Sequence, residues 1–196
     1  MKLFLDIETI PTQRADLIAT IRADVEAGVE AKAESVRRQY KKPETVEAHL
    51  VGLRAGLPAL VDEAHRKTAL DGGLGQVLCI GWAFDSEPVQ TLIRTLDESE
   101  GALIEKFFAR LPADTMTALH WIGHGVSTFD VRFLWQRCLV LGLPLGLALP
   151  LDERDRLLTD TMIEWAGRLN RDRWPSLARL CQVFGIDSPK GGAERL

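Results

Sequence analysis

Lys2-Leu3-Phe4-Leu5-Asp6-Ile7-Glu8-Thr9-Ile10 decides the reading of this chain. Phe4 and the leucines around it make the stretch mostly apolar, which predicts a central strand covered on both faces. Pro11 stops it. Side chains alternate along a strand, so Asp6 and Glu8 point to the same face. Two carboxylates side by side on a buried strand repel each other and lose solvation. By itself the pair fits either a strand end solvated at the rim of a sheet or a site for a positive partner.

The residues that follow change character. Ile18, Ile21, Val25, Val29 and Val36 recur at helical spacing with charges between them. Lys41-Lys42-Pro43 breaks the pattern, and Val46, Leu50, Leu53, Leu57 and Leu60 resume it. This predicts an inserted helical hairpin over about residues 12–71, with Pro58 bending or restarting the second helix. Its apolar stripes either pack on each other or form a clamp or partner surface. Beyond a glycine loop at Asp71–Gly75, Gln76–Phe84 reads as a strand. A turn at Asp85–Pro88 and a strand at Val89–Thr95 then complete an antiparallel pair.

Glu98–Leu111 is amphipathic, with Leu103, Ile104, Phe107, Phe108 and Leu111 on its apolar face. Ala118–Ile122 reads as a short strand. Ser127 or Thr128 is placed to cap a helix running to about Leu141. Leu143–Leu151 is a loop. Helices follow near Thr161–Leu169 and Ser176–Phe184, with Gly185 as C-terminal cap. The order β, insertion, β, β, α, β, α, α, α predicts a single α/β domain over residues 1–196 with a mixed sheet.

Composition narrows the function classes. With 46% hydrophobic and 27% charged residues, the 196-residue chain is globular rather than disordered. No apolar run approaches the roughly 18 residues of a membrane span. Asp6 and Glu8 interrupt the first apolar stretch before a signal peptide can form. Cys79, Cys138 and Cys181 are odd in number and far apart, which predicts free thiols in a reducing, cytoplasmic setting. The net charge of −4 excludes a basic nucleic-acid-coating protein. It does not exclude an enzyme that meets phosphates through bound cations.

A second motif gives Asp6 and Glu8 a context. Gly123-His124-Gly125-Val126-Ser127-Thr128-Phe129-Asp130 follows a strand and enters a helix. Asp130 then falls in the first turn, where the helix dipole favours an anion. Phe129 beside it either stacks on a base or fills the core. Convergence of Asp6, Glu8 and Asp130 would suit Mg²⁺ or Mn²⁺. Two such ions about 4 Å apart clamp the attacking and leaving oxygens of a phosphodiester.

The stretches FLDIET and GHGVSTFDVRFL resemble the first two motifs of the DEDD-type 3′–5′ exonucleases. The resemblance is to the predicted exonucleases similar to the proofreading domain of B-family DNA polymerases. It extends through Tyr40–Glu44, Gln76–Phe84, Asp160-Thr161-Met162 and Trp174-Pro175-Ser176-Leu177, over essentially the whole chain. It implies a ribonuclease H-like fold, a three-layer α/β/α arrangement. It further implies a two-metal Mg²⁺ or Mn²⁺ site and a nucleic-acid substrate with single-stranded 3′ ends. Asp6 would bridge both ions, Glu8 would bind the ion that activates the attacking water, and Asp130 would hold the second ion. The backbone at Thr9 and Ile10 would line the terminal-nucleotide site and Phe129 would support it. His124 would either touch a phosphate or hydrogen-bond within its loop. Gly125 stands where the family usually has Asn, which removes a polar side chain near the substrate.

The family's fourth carboxylate comes in Tyr-x3-Asp or His-x4-Asp. Four residues after Tyr40, the single tyrosine, stands Glu44. Five after His49, His65, His120 and His124 stand Arg54, Leu70, Gly125 and Phe129. The expectation is a family domain whose C-terminal part is absent, with strongly reduced or no nuclease activity. Asp160, Asp187 or Glu194 would be the local substitutes, although Asp160 is better placed as a helix cap. Two alternatives remain: a catalytically incomplete module that binds nucleic acid or protein, and an interaction protein built on the hairpin. Arg132, Arg137, Arg168, Arg171, Arg173 and Arg179 are either surface groups, solvated or salt-bridged, or phosphate contacts.

Overall fold

A computed structural model describes residues 1–112, 119–144, 149–152, 154–167 and 174–187. The chain divides into two compact units, one of Met1–Glu8 with Cys79–Leu196 and one of Thr9–Leu78.

The first unit is built on a five-stranded mixed sheet of order β3-β2-β1-β4-β5. Its strands are β1 (Lys2–Ile10), β2 (Gln76–Phe84), β3 (Gln90–Ile93), β4 (His120–Gly123) and β5 (Leu158–Asp160). β1, β4 and β5 are parallel, with Leu3 opposite Trp121 and Trp121 opposite Leu158. β2 is antiparallel to β3. Asp85, just past β2, bonds Lys2 at the start of β1, and Gly81 lies against Asp6. β2 therefore also runs antiparallel to β1.

Leu3, Leu5 and Ile7 are buried, while Lys2, Phe4, Asp6 and Glu8 between them are exposed. This corrects the expectation of a strand covered on both faces. β1 is covered on one face only, because its alternate residues include two carboxylates that stay in water.

Helices α3 (Glu100–Phe108) and α4 (Asp130–Leu141) complete the core with Leu103, Ile104, Phe107, Val131, Phe133 and Leu134. Trp82 on β2 meets Phe107 edge to face at 5.4 Å. Arg137 donates two hydrogen bonds to Glu100, at 2.8 and 2.7 Å, and both side chains are buried. Arg137 is salt-bridged, one of the roles expected of it, but the expected surface location is corrected. Removing one partner would strand a buried charge, which typically costs about 3–5 kcal/mol.

β5 was not expected from the sequence. Leu158-Thr159-Asp160 is too short to show a periodic signal, and it pairs only because β4 lies beside it. Past β5, Asp160 accepts from the Met162 N–H and caps α5 (Thr161–Ala166), as its position predicts. The hydroxyl of Ser176 caps α6 (Leu177–Phe184); Gly185 closes it at φ +65°, and this C-terminal cap is as predicted. Ala118, Leu169, Arg168, Arg171, Arg173 and Glu194 lie outside the described residues.

The second unit is the helical hairpin. Its helices are α1 (Ala15–Gln39) and α2 (Pro43–Lys67), followed by a 3₁₀ turn at Thr68–Leu70. Pro43 opens α2, where its missing N–H has no helical partner to lose. Of the two expectations for Pro58, a restart is corrected: α2 is one helix that continues through it. One lost bond does not end a helix held by its other i→i−4 bonds and by α1. Val29, Ala33 and Leu50 are buried, so the stripes do pack, though thinly. Tyr40 stacks on His49 at 4.6 Å. Thr12 donates its N–H to Thr68, and the His65 ring bonds the Thr12 carbonyl, latching the hairpin base.

Among the described residues no helix is long and apolar enough to cross a membrane.

Candidate functional site

Asp6 and Glu8 lie two residues apart on the exposed face of β1, as alternation requires. What the structure adds is the way Asp130 reaches them. β4 stops at Gly123 while β1 runs on. The His120 N–H donates to the Met1 carbonyl, so the odd-numbered backbone groups of β1 face β4. Ile7 is the first odd residue to point past the end of β4. Its N–H donates to Asp130 Oδ1 at 2.9 Å, across 123 residues of sequence. The carboxylate stands in for a missing strand neighbour at the backbone N–H of the residue that separates Asp6 from Glu8 in the chain.

Gly123 makes the turn away from β1 possible. A Cβ there would lie 2.9 Å from the Leu5 carbonyl and 2.7 Å from Val126 Cβ. Gly125 has φ +81°, a left-handed backbone that glycine adopts without strain. Its carbonyl accepts from the Thr128 and Phe129 N–H groups and from the Thr128 hydroxyl, which folds the chain into α4. The expected cap by Ser127 or Thr128 is therefore corrected. Phe129 occupies the N-cap position without a side-chain cap, and both hydroxyls serve the loop instead.

Asp160 secures that loop. Its Oδ1 accepts from the Gly125 N–H at 2.8 Å and the Met162 N–H at 3.0 Å. Its Oδ2 accepts from the Ser127 N–H at 3.0 Å and the Ser127 hydroxyl at 2.7 Å. With both oxygens committed, Asp160 is a poor substitute ligand.

Asp130 is only 4% exposed. Among the described residues no cation pairs with it. Burial pushes its carboxyl up to about 7, and the charges of Asp6 and Asp160 add to the rise. The Ile7 N–H acts the other way, favouring the anion.

Cys79 belongs to the same surroundings. Its thiol is pushed up by burial and then by the charges of Glu8 and Asp6. No local pattern signals this, because the placing of Cys79 depends on the register between β1 and β2.

The remaining candidates are placed as follows. His124 is committed within the fold: Nδ1 pairs with the Thr161 hydroxyl at 3.0 Å and Nε2 with the Pro175 carbonyl at 2.8 Å. Phe129 is half-buried and packs on Phe133, ring centres 5.4 Å apart. Thr9 and Ile10 end β1 and group with the helical unit, where the Thr9 hydroxyl donates to the Ala69 carbonyl. Arg132 is exposed, and Arg179 bonds Gln182.

Asp6, Glu8 and Asp130 supply hard oxygen donors with no salt-bridge partner among the described residues, and that chemistry fits Mg²⁺ or Mn²⁺. Among the described residues, however, no three His, Cys, Asp or Glu side chains form a group close enough to hold a metal ion. The donor set fits, while Asp130 stays engaged with the backbone of β1. The chain matches no protein-family model, no curated protein and no solved structure.

Proposed function

We propose that this chain is a metal-dependent 3′–5′ exonuclease of the ribonuclease H-like type, acting on single-stranded nucleic-acid ends with low activity. The observation that carries the reading is the 2.9 Å bond from the Ile7 N–H to Asp130, which brings the second motif to the strand bearing Asp6 and Glu8. The five-stranded mixed sheet of order β3-β2-β1-β4-β5 supports the α/β part of that reading.

Asp6, Glu8 and Asp130 would hold the ions, which supply a polarised water and neutralise charge developing on the phosphate. The chain's own part follows from their environments. Asp6 and Glu8 are exposed anions, open to a cation and to a substrate end. Asp130 is held by Ile7 and its carboxyl pKa is raised to about 7, so its charge would be available to a cation near neutral pH. Low activity follows from the absence of Tyr-x3-Asp or His-x4-Asp in these 196 residues, which leaves the water without its usual orienting group.

A second reading, a module that binds nucleic acid without cutting it, is favoured by one observation. The described residues contain no ready three-ligand metal group.

A 5′-labelled single-stranded oligonucleotide with saturating Mn²⁺ separates the two. Slow shortening from the 3′ end, lost in Asp6→Ala together with Mn²⁺ binding measured by calorimetry, is expected. Retention without shortening would favour the binding module. Mn²⁺ binding unchanged in Asp6→Ala would remove the basis of the metal assignment.

A further inference from the structure

We infer that Asp160 is a positioning residue, which sets Asp130 against β1 through the loop of residues 125–127. The inference deepens the proposed function and rests on it only where metal binding is concerned.

Asp160 closes β5, which lies beside β4 in the sheet. It is 4% exposed, and four donors converge on its two oxygens. Three of them come from Gly125 and Ser127, on the connection that leaves β4. The next link is Gly125 itself, whose carbonyl receives the Thr128 and Phe129 N–H groups. Asp130 comes next in the chain and bonds Ile7. An unbroken path of bonds and backbone thus runs from Asp160 to the N–H between Asp6 and Glu8.

The cap on α5 needs only the bond to Met162. Serine caps helices about as well as aspartate. Two carboxylate oxygens with three bonds to the preceding loop exceed what capping requires. A buried anion also makes a stronger acceptor than a neutral group. The additional bonds hold the loop, and the loop holds Asp130.

Asp160→Ser tests this, since it keeps an α5 cap and removes the loop anchor. The first readout is amide hydrogen exchange at Ile7 in the full chain. Asp160→Ser should accelerate Ile7 exchange at least tenfold, as Asp130→Ala should, while Leu3 and Leu5 stay protected. In the double variant Asp160→Ser/Asp130→Ala, Ile7 should exchange no faster than in Asp130→Ala alone. Additive acceleration, or unchanged Ile7 exchange in Asp160→Ser, would overturn the inference. If Asp160→Ser does not fold, Ser127→Ala removes one anchoring bond, and a smaller acceleration confined to Ile7 is then expected. Uniform acceleration along β1, or none, would overturn it.

Mn²⁺ titration is the second readout. Where the parent binds Mn²⁺, Asp160→Ser should weaken binding at least tenfold, and equal affinity would overturn the inference. A parent that binds no Mn²⁺ while the Ile7 pattern holds would sink the metal reading and leave the positioning role standing.

Discussion

Asp130 is a carboxylate kept from water, with one backbone N–H for a partner and no counter-ion among the described residues. Its pKa, about 7 in the fold against 3.8 normally, sets the sign of a pH effect. The protonated form is favoured in the folded state. Its contribution to stability is therefore fully present below about pH 4 and is lost as pH rises through 7. Asp130→Asn keeps an oxygen for the Ile7 N–H and removes the charge. Relative to the parent, the variant should gain stability across that window, by up to about 4 kcal/mol at pH 8. Urea denaturation of both chains from pH 4 to 8 reads the difference. A constant gap would show that burial does not hold the carboxyl protonated. Charge of this kind was only half legible. The pairing of Asp6 with Glu8 follows from alternation alone, but the burial of Asp130 follows from where β4 ends.

Among the elements, those with strong local signals came out as expected. Gln76–Phe84 is a strand at the predicted residues, and Gly185 ends its helix as predicted. Elements that rely on neighbours did not. β5 has three residues and exists through pairing. The start of α4 is organised by Asp160, so the hydroxyls at Ser127 and Thr128 misled a local capping rule. Pro58 is the reverse case, a strong local breaker overridden by the rest of α2. Because the Pro58 ring crowds the Arg54 carbonyl and supplies no N–H to it, Pro58→Ala should stabilise the hairpin. A gain of about 1–3 kcal/mol, seen as a higher midpoint in helix melting by circular dichroism, is expected. A loss would mean that the ring packs usefully.

At the scale of the molecule, the two units differ in how they are held. The hairpin supplies two helices of 25 residues each, with only Val29, Ala33 and Leu50 buried along them. The sheet unit supplies helices of 9, 12, 6 and 8 residues and most of the core. All five tryptophans, Trp82, Trp121, Trp135, Trp165 and Trp174, belong to the sheet unit. Tryptophan fluorescence therefore reports that unit, and far-ultraviolet dichroism is weighted toward the hairpin. In urea, the dichroism midpoint should precede the fluorescence midpoint, because a two-helix unit with a thin core unfolds at lower denaturant. Coincident midpoints would show that the units unfold as one.

The sequence by itself determined what depends on neighbours along the chain. Strand period puts Asp6 and Glu8 on one face, and helical period outlines the hairpin. Only the tertiary structure decided what those residues meet. It gave Ile7 a carboxylate from 123 residues away, tied Asp160 to the loop before α4, and turned both nitrogens of His124 inward. The physical reason is the range of the forces concerned. Backbone geometry repeats every few residues and can be read locally. A buried polar group must find a partner wherever the fold supplies one.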